Sequence, residues 1–544
     1  MADPIARPSP SRTSHPGGRL HHGPASAQLS PIHAPPDTTA NPARPDPTPQ
    51  PIRPGPTRHH SQSDPARPDT LPARPETPAN PPRPNPPGTT PPSPLAPHPR
   101  PDDHVPHERT TRFTAMIPSA RRVQGVYLTL LLGNTLAASF IWGINTLFLL
   151  DAGLTNFEAF AANAFFTAGM VLFEIPTGVV ADTIGRRASY LLGTITLSSS
   201  TVLYWLLWLW HAPFFWWAVA SMLLGLGFTF FSGATDAWMV DALTFTGYKG
   251  SLESVFGRAL VVTGAAMFAG SVLGGVIAQV TNLGVPFLLR AGVLVLMFVF
   301  AFVAMRDVGF TPDRSMGPWR ATRNVLSQSI EHGMRKRSVR YVILSAPFAS
   351  GVGIYAFYAL QPYLLELYGD PKAYSVAGLA AAILSLAQAA GGIFAPRLRR
   401  LFAKRTTAII GASLASIVIL VAMGLTAFFW FAVVLLVIWG FVFAVAGPVR
   451  QAYLNDMIPS QQRATVLSFD SLFGSLGGVV IQPALGRAAD LWGYGTSLVI
   501  GGAIELIGIP FLLASRRQGD PSDSAGARGD AGETGEAEAA PTTP

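Results

Sequence analysis

The sequence predicts an all-α integral membrane protein with twelve transmembrane helices. Only 13% of its 544 residues are charged and 49% are hydrophobic, and the mean hydropathy of +0.31 is too high for a soluble domain. Between two polar tails, twelve apolar segments approach the ~20 residues that a membrane-spanning helix needs. Basic residues cluster in alternate connections, which is typical of a polytopic protein with one orientation.

The twelve apolar segments, which we name the first to twelfth spans, follow one another with short polar connections. The join between the ninth and tenth spans, at Ala427–Phe431, is the shortest and the least distinct. The predicted limits are 124–150, 156–181, 188–210, 213–240, 257–280, 285–305, 340–366, 373–396, 406–427, 429–449, 464–486 and 495–515.

Two polar tails flank the spans. Residues 1–117 contain no apolar segment, and 30 of the first 100 residues are proline. Such a composition cannot bury enough apolar surface to offset the entropy of ordering, so we predict a disordered tail. Met116 stands just before the first span, and a start there would leave residues 1–115 untranslated. Residues 517–544 are polar and mildly acidic, and we predict a second disordered tail there.

The basic residues predict the orientation. Twenty-three Lys and Arg residues lie on the side of the two tails, against Lys372 and Arg487 on the other side. By the positive-inside rule both termini are cytoplasmic, and the protein is predicted to be a multi-pass protein of the cell (inner) membrane. The basic loops are expected to contact anionic lipid headgroups. The net charge of +8 is thereby explained without a nucleic-acid partner.

An internal repeat divides the spans into two sets of six. GSVLGGVIAQ (Gly270–Gln279) in the fifth span resembles GSLGGVVIQP (Gly474–Pro483) in the eleventh, and GFTFFSGATDAW in the fourth resembles GFVFAVAGPVRQAY in the tenth. Because six is even, both sets keep one orientation, which predicts a parallel duplication. The predicted units are the tail 1–117, an N-terminal six-helix bundle 118–305, a basic cytoplasmic linker 306–339, a C-terminal six-helix bundle 340–516 and the tail 517–544.

The connection after the second span contains a charged motif of the form GxxxDxxGRR. Its members are Gly178, Asp182, Gly185, Arg186 and Arg187. With twelve spans arranged as six plus six and both ends inside, this motif resembles the major facilitator superfamily (MFS) of secondary transporters, over about residues 118 to 517. The resemblance implies the MFS fold and transport by alternating access, without enzymatic activity or a cofactor.

The motif has two interpretations. Asp182 can face the positive N-terminal end of a helix, and the resemblance implies the start of the eleventh span, near Ser460 to Arg463, as a cytoplasmic gate. Gly178 would permit close packing and Gly185 a tight turn. Alternatively, the motif is only a turn with a topology signal. The matching connection after the eighth span lacks the acid, so the two halves are not expected to be mechanically equivalent.

Ionisable residues at membrane depth are costly and are therefore candidates for function. We predict proton coupling at Asp236, Glu174 or Asp470, although each carboxyl group could instead serve helix packing or a cytoplasmic-end ion pair. Arg450, near the place in the tenth span that matches Asp236, is the possible opposite charge. Glu505 and Arg290 are interpreted as structural, with Arg290 extending to the outer membrane surface.

Polar and aromatic residues on the spans that the resemblance makes cavity-lining are candidates for substrate binding. Amides in membrane helices also hold helices together, and the sequence leaves both interpretations open. The candidates are Asn134, Trp142, Asn145, Tyr355, Tyr358, Gln361 and Arg450.

The absence of several catalytic motifs argues against several classes of enzyme. The sequence has no GxxxxGK[ST], HExxH or GxSxG pattern, so we expect neither an ATPase nor these hydrolases, and no metal or cofactor. We predict a monomer that exports an amphipathic or drug-like small molecule in exchange for protons. The fourth span lacks an arginine that drug:proton antiporters usually carry, which weakens this prediction. Uptake or facilitated diffusion of a small metabolite is one alternative, and a non-transporting receptor or scaffold with the same fold is another.

Overall fold

The structure is a computed structural model that describes residues 119–312, 335–459 and 463–524. The predictions for residues 1–117, for most of the linker 306–339 and for the end of the C-terminal tail lie outside the described residues. Where the chain is described, it is helical, and the β pairing there is one isolated bridge between Lys404 and Ser524.

Fourteen α-helices account for the twelve spans within the described residues. The first six spans are formed by α1 (Ala120–Trp142) with α2 (Asn145–Asp151), α3 (Asn156–Thr183), α4 (Arg186–Leu209), α5 (Phe214–Thr229) with α6 (Ala234–Phe245), α7 (Leu252–Val280) and α8 (Gly284–Ala304). The last six are formed by α9 (Arg337–Tyr368), α10 (Tyr374–Arg399), α11 (Arg405–Leu425), α12 (Phe429–Met457), α13 (Arg463–Leu506) and α14 (Ile509–Arg517).

Length and hydropathy alone identify eleven membrane-crossing helices in the described ranges. One of them, Val466–Arg517, is 52 residues long, about twice what a bilayer needs. Its backbone leaves the helical region at Gly493, where φ is 80° and ψ is 165°. Glycine has no Cβ and adopts a positive φ at little cost. The chain therefore turns at Gly493, and this segment contains both the eleventh and the twelfth predicted spans.

The first and fourth spans are broken, although the sequence predicted continuous helices. In the fourth span, Gly233 has a φ of 69° between α5 and α6. A break frees backbone groups that membrane lipid cannot satisfy, so neighbouring side chains must do so. In the first span, the Gln361 amide donates to the Trp142 carbonyl at 2.8 Å and accepts from the Thr146 N–H at 3.0 Å. In the fourth, the Ser189 hydroxyl donates to the Phe230 carbonyl at 2.8 Å.

Small residues let spans within each half approach closely. The first span packs on the fifth, and the seventh packs on the eleventh, which is the equivalent pair in the duplicated half. A Cβ at Gly274 would overlap the carbonyl oxygen of Phe140, and a Cβ at Gly477 would overlap that of Pro347. The double-glycine repeat therefore marks the same helix contact in both halves.

The start of the C-terminal tail is ordered, which corrects our prediction for its first residues. Pro521–Asp523 forms a 3₁₀ turn, and buried Asp523 accepts from the Thr406 N–H at 2.7 Å, in the first turn of α11. Asp520 pairs with Lys336 at 2.6 Å. Burial opposes ionisation of Asp520, but hydrogen bonds from Lys336 and Ser522 hold its pKa below the usual value. Polar composition predicted disorder because these partners lie far away in sequence.

Candidate functional site

The two six-helix halves meet tightly at the end of the bundle opposite the basic loops. Asp490, in α13 just after the eleventh span, accepts from the Asn156 and Phe157 N–H groups of α3, both at 2.9 Å. The exposed N-terminal amides of a helix attract a carboxylate, so this bond caps one half with an acid from the other. The Tyr494 hydroxyl also donates to the Asn156 amide oxygen. These contacts close the opposite face between the halves.

Other spans add to this closure. Gln361 of the seventh span bonds both sides of the break in the first span, as described above. The Ser375 N–H at the start of α10 donates to the Gln279 amide oxygen near the end of α7 at 3.3 Å. A Cβ at Gly275 would come within 2.8 Å of the Gly378 Cα, so the fifth and eighth spans touch through their backbones.

Two predicted proton-coupling acids lie beside the break in the fourth span or bond to it. Asp236 lies in the first turn of α6, and the Tyr127 hydroxyl of the first span donates to it at 2.7 Å. The Ser232 hydroxyl, inside the break, donates to Glu174 of the second span at 2.6 Å. Both acids are exposed, and within the described residues neither has a Lys or Arg partner. Each of the two acids is therefore hydrogen-bonded by a neutral hydroxyl group from another span.

The third predicted acid, Asp470, has a fixed cationic partner. Arg450 forms a two-pronged pair with it, with both nitrogen–oxygen distances at 2.5 Å. Arg450 also donates to the Val342 carbonyl at 3.1 Å. The structure therefore pairs Arg450 with Asp470, on the neighbouring span, instead of with Asp236. A bidentate pair of this kind is among the stronger ion pairs, and it joins the tenth and eleventh spans.

The GxxxDxxGRR motif binds to its own half. Asp182 forms an ion pair with Arg186 at 2.5 Å and remains half-exposed. The Arg187 N–H donates to Asp307 at 2.9 Å, and Gly185 turns the chain with a φ of 129°. Burial raises the pKa of Asp307, and the hydrogen bond and charge of Arg187 oppose the rise. The motif thus fastens the second-to-third-span turn to the end of the sixth span.

The structure departs from one expectation about the motif and leaves another untested. Gly178 makes no close contact, because a Cβ there would meet nothing within 4 Å. The expected partner of Asp182 near Ser460 lies outside the described residues, whereas Arg463 is described and its buried Nε has no hydrogen-bond partner there. The gating role of Asp182 stays a prediction.

Most of the predicted cavity residues hold helices together. Asn134 accepts from the Tyr190 hydroxyl, and Asn145 donates to Asn163, both at 2.9 Å. Tyr355 is fully buried and its hydroxyl bonds Ser497 at 2.5 Å. With Gln361 bonded to the first span and Arg450 to Asp470, these five candidates have protein partners for their polar groups.

Trp142 and Tyr358 fit a cavity better. The Trp142 ring meets Phe357 edge-on at 5.4 Å, and Phe357 meets Tyr358 at 5.1 Å. All three side chains are partly exposed although they lie deep in the bundle. The first and seventh spans therefore present an aromatic surface between the halves.

Sequence reasoning missed the residues that complete these contacts. Tyr127, Ser232 and Asp490 bond across separate spans, and nothing in their local pattern marks them. Only Tyr127 carried a usable signal: it lies seven residues, or two helical turns, before Asn134 and so shares its face.

Comparisons with known proteins agree with this architecture. The family model for the Major Facilitator Superfamily matches residues 127–479 and 343–542. A search of curated proteins found no significant match to the sequence.

Solved structures of similar shape are transporters. One is the nucleoside transporter NupG, which has a TM-score of 0.61 and 11% sequence identity. The match covers 73% of this chain and 99% of that chain. A bacterial homologue of the human lysosomal transporter Spinster has a TM-score of 0.57, 16% identity and coverage of 75% and 99%. A POT family transporter has a TM-score of 0.55, 12% identity and coverage of 73% and 96%. The chain belongs to the major facilitator superfamily and is a multi-pass secondary transporter of small molecules, not an enzyme.

Proposed function

We propose that this transporter exports a small amphipathic solute across the cell membrane in exchange for protons. The proton sites are Asp236 and Glu174. The observation that carries the proposal is the state of these two acids: both are exposed, both are hydrogen-bonded by a neutral hydroxyl, and neither has a cationic partner among the described residues.

Their position supports coupling to the transport cycle. Tyr127 links Asp236 to the first span, and Ser232 links Glu174 to the break in the fourth span. Broken helices in transporters are points where substrate or ions bind, because their backbone and end charges are available. A proton that arrives at either acid would change the bonds that join three spans of the N-terminal half.

The closed opposite face agrees with a cycle of alternating access. With the positive-inside orientation, the halves are joined on the outer side, and the proposal has the protons leave the two acids toward the cytoplasm. Protonation on the outer side would then require the halves to separate there, so solute and proton exchange in turn across one central site. The aromatic surface of Trp142, Phe357 and Tyr358 suits an amphipathic solute.

Transport in proteoliposomes tests the proposal. Asp236→Asn and Glu174→Gln should each reduce pH-gradient-driven transport of a fluorescent amphipathic solute at least tenfold, because the amide cannot carry the proton. Proton movement is followed in parallel with a trapped pH dye. The matched control is Asp370→Asn, in the loop on the opposite face, which should transport like the unmodified protein.

Two results would contradict the proposal. Solute movement that ignores the pH gradient in the unmodified protein would favour facilitated diffusion. Full gradient-driven transport in the Asp236→Asn and Glu174→Gln variants would place proton coupling elsewhere, and Asp470 would be the next residue to change.

A further inference from the structure

A buried arginine in the N-terminal half has no role in the mechanism described so far. Arg290 lies in α8, six residues after its start at Gly284, and so ~9 Å inside that end of the helix. It is 9% exposed and shares the buried face of the helix with Phe287 and Leu294. The expected extension to the membrane surface is therefore wrong, because the side chain points into the bundle.

Among the described residues, the guanidinium group of Arg290 has no ion-pair partner. Its Nε is buried without a hydrogen-bond partner, and no ion pair or hydrogen bond of the group is found among the described residues. The titratable groups close enough to act on its charge are the phenols of Tyr358 and Tyr204, not a carboxylate. An unpaired cation in a membrane protein is costly to keep, which makes a ligand role its default interpretation.

The two phenols that act on the charge of Arg290 differ in their own hydrogen bonds. The Tyr204 hydroxyl is already bonded to Ser221, and the Tyr204 ring stacks on Phe287 at 6.3 Å. The Tyr358 hydroxyl, by contrast, has no hydrogen-bond partner within the described part of the chain, and the side chain is partly exposed. Within the described residues, Tyr358 of the C-terminal half thus has a free hydroxyl, and its phenol is one of the two that act on the charge of Arg290.

Apolar contacts adjoin this polar pair. Phe357 and Trp142 continue from Tyr358 in edge-on contact, as described above, and they come from both halves. A ligand that satisfies Arg290 would therefore place its anionic group at the guanidinium and its apolar body against the aromatic rings. Arginine suits this role because its planar group can donate two parallel hydrogen bonds to one carboxylate.

We propose that Arg290 and Tyr358 bind the carboxylate of a small aromatic or amphipathic organic anion. The inference rests on the proposed transport function and names the substrate class of the same central site. Because Arg290 belongs to the sixth span and Tyr358 to the seventh, the anion bridges the two halves and is released when they separate.

A thermal-shift experiment on the purified full chain in detergent tests the charge requirement. Indole-3-acetate and its neutral amide, indole-3-acetamide, share one skeleton and differ in charge. The acid should raise the melting temperature and the amide should not, because a ligand that binds the folded state stabilises it. Sodium phosphate provides the inorganic-anion comparison, and we expect it to protect far less than the indole acid.

Substitutions test whether Arg290 and Tyr358 bind the indole acid. Arg290→Gln should weaken binding of the acid roughly ten- to a hundredfold, as expected for a lost hydrogen bond to a charged group, and Tyr358→Phe should weaken it by about a few-fold. Arg290→Lys keeps the charge and should bind with intermediate affinity, which controls for folding. Arg487→Gln is the matched control, since Arg487 is an exposed arginine near the opposite face, and it should bind like the unmodified protein.

Several outcomes would overturn the inference: equal protection by the acid and the amide, no protection by the acid, equal protection by phosphate, or unchanged affinity in Arg290→Gln. Uptake of radiolabelled indole-3-acetate into proteoliposomes distinguishes a failure of this inference from a failure of the proposed function. Binding through Arg290 with transport that ignores Asp236→Asn would contradict the coupling proposal alone. Proton-coupled transport of neutral solutes that ignores Arg290→Gln would contradict this inference alone.

Discussion

At the scale of single residues, nearly equivalent positions in the two halves carry opposite charges. Asp236 in the fourth span and Arg450 in the tenth lie near matching places in the repeat, yet they bond differently. Asp236 accepts from Tyr127 on the first span, whereas Arg450 pairs with Asp470 on the eleventh and donates to the seventh. The duplication has therefore kept the position of a polar contact and changed its chemistry. The N-terminal half has an acid that is bonded to a neutral hydroxyl group, and the C-terminal half has an ion pair.

The ion pair between Arg450 and Asp470 should be strongly coupled. Asp470→Asn leaves the Arg450 cation partly buried without its partner, so we expect a loss of about 3–5 kcal/mol of unfolding free energy. The double variant Arg450→Gln, Asp470→Asn should lose less than the sum of the single variants. Unfolding in mixed micelles measures these values as a double-mutant cycle.

The control for this cycle is Asp182→Asn, which removes the half-exposed carboxylate of the ion pair across the Gly185 turn. Ion pairs near the surface contribute roughly 0–1 kcal/mol, so this variant should lose far less than Asp470→Asn. Additive losses at Arg450 and Asp470 would mean that their contact contributes little to stability.

At the scale of helices, close packing and broken spans position the candidate site. The glycine pairs of the fifth and eleventh spans hold them against the first and seventh spans, which carry Trp142 and Tyr358. Side chains from other spans satisfy the backbone at both breaks, so the irregular segments are held in place. This explains why Gln361, expected at the substrate, serves the backbone of the first span instead.

Gly274→Ala should disrupt the contact between the fifth and first spans. The new methyl group would overlap the backbone carbonyl of Phe140, which cannot rotate away as a side chain could. We expect a loss of about 1–3 kcal/mol, which is typical of overpacking, seen as a lower melting temperature. Gly264→Ala is the control in the same helix, because its methyl group would meet nothing within 4 Å. Equal melting temperatures for both variants would show that the first span can move aside.

At the scale of the whole molecule, the contacts between the halves define which face is closed. The hydrogen bonds of Asp490, Gln361 and Ser375 all lie toward the face opposite the basic loops. Alternating access requires these contacts to break when that face opens. Their free energy therefore sets part of the balance between the two conformations.

Asp490→Ala should shift this balance toward opening of the opposite face. The variant loses two charge-assisted hydrogen bonds between the halves, and each contributes roughly 1.5–3 kcal/mol. The chain has no cysteine, so a single Ala377→Cys substitution reports on opening, since Ala377 is 1% exposed in the eighth span. Labelling by a membrane-impermeant maleimide from that face should accelerate by about tenfold or more in Asp490→Ala. It should not change in the control Asp370→Ala, and an unchanged rate in both would contradict the role of Asp490.

The sequence by itself determined the features that depend on local pattern. Span number, the duplication and the family resemblance follow from apolar runs of bilayer length and from the repeated glycine motifs, and the structure and the family match confirm them. These features can be predicted from the sequence because lipid requires every span to be apolar and to satisfy its own backbone hydrogen bonds.

Only the tertiary structure decided which side chains meet. The pairs Asp236 with Tyr127, Arg450 with Asp470 and Asp490 with the start of α3 join different spans, and two of them join residues more than 100 positions apart. It also placed Arg290 inside the bundle and Tyr355 away from the cavity. Hydropathy reports that a residue lies in the membrane, but rotation and packing of the helices choose its neighbours, and those depend on all twelve spans at once.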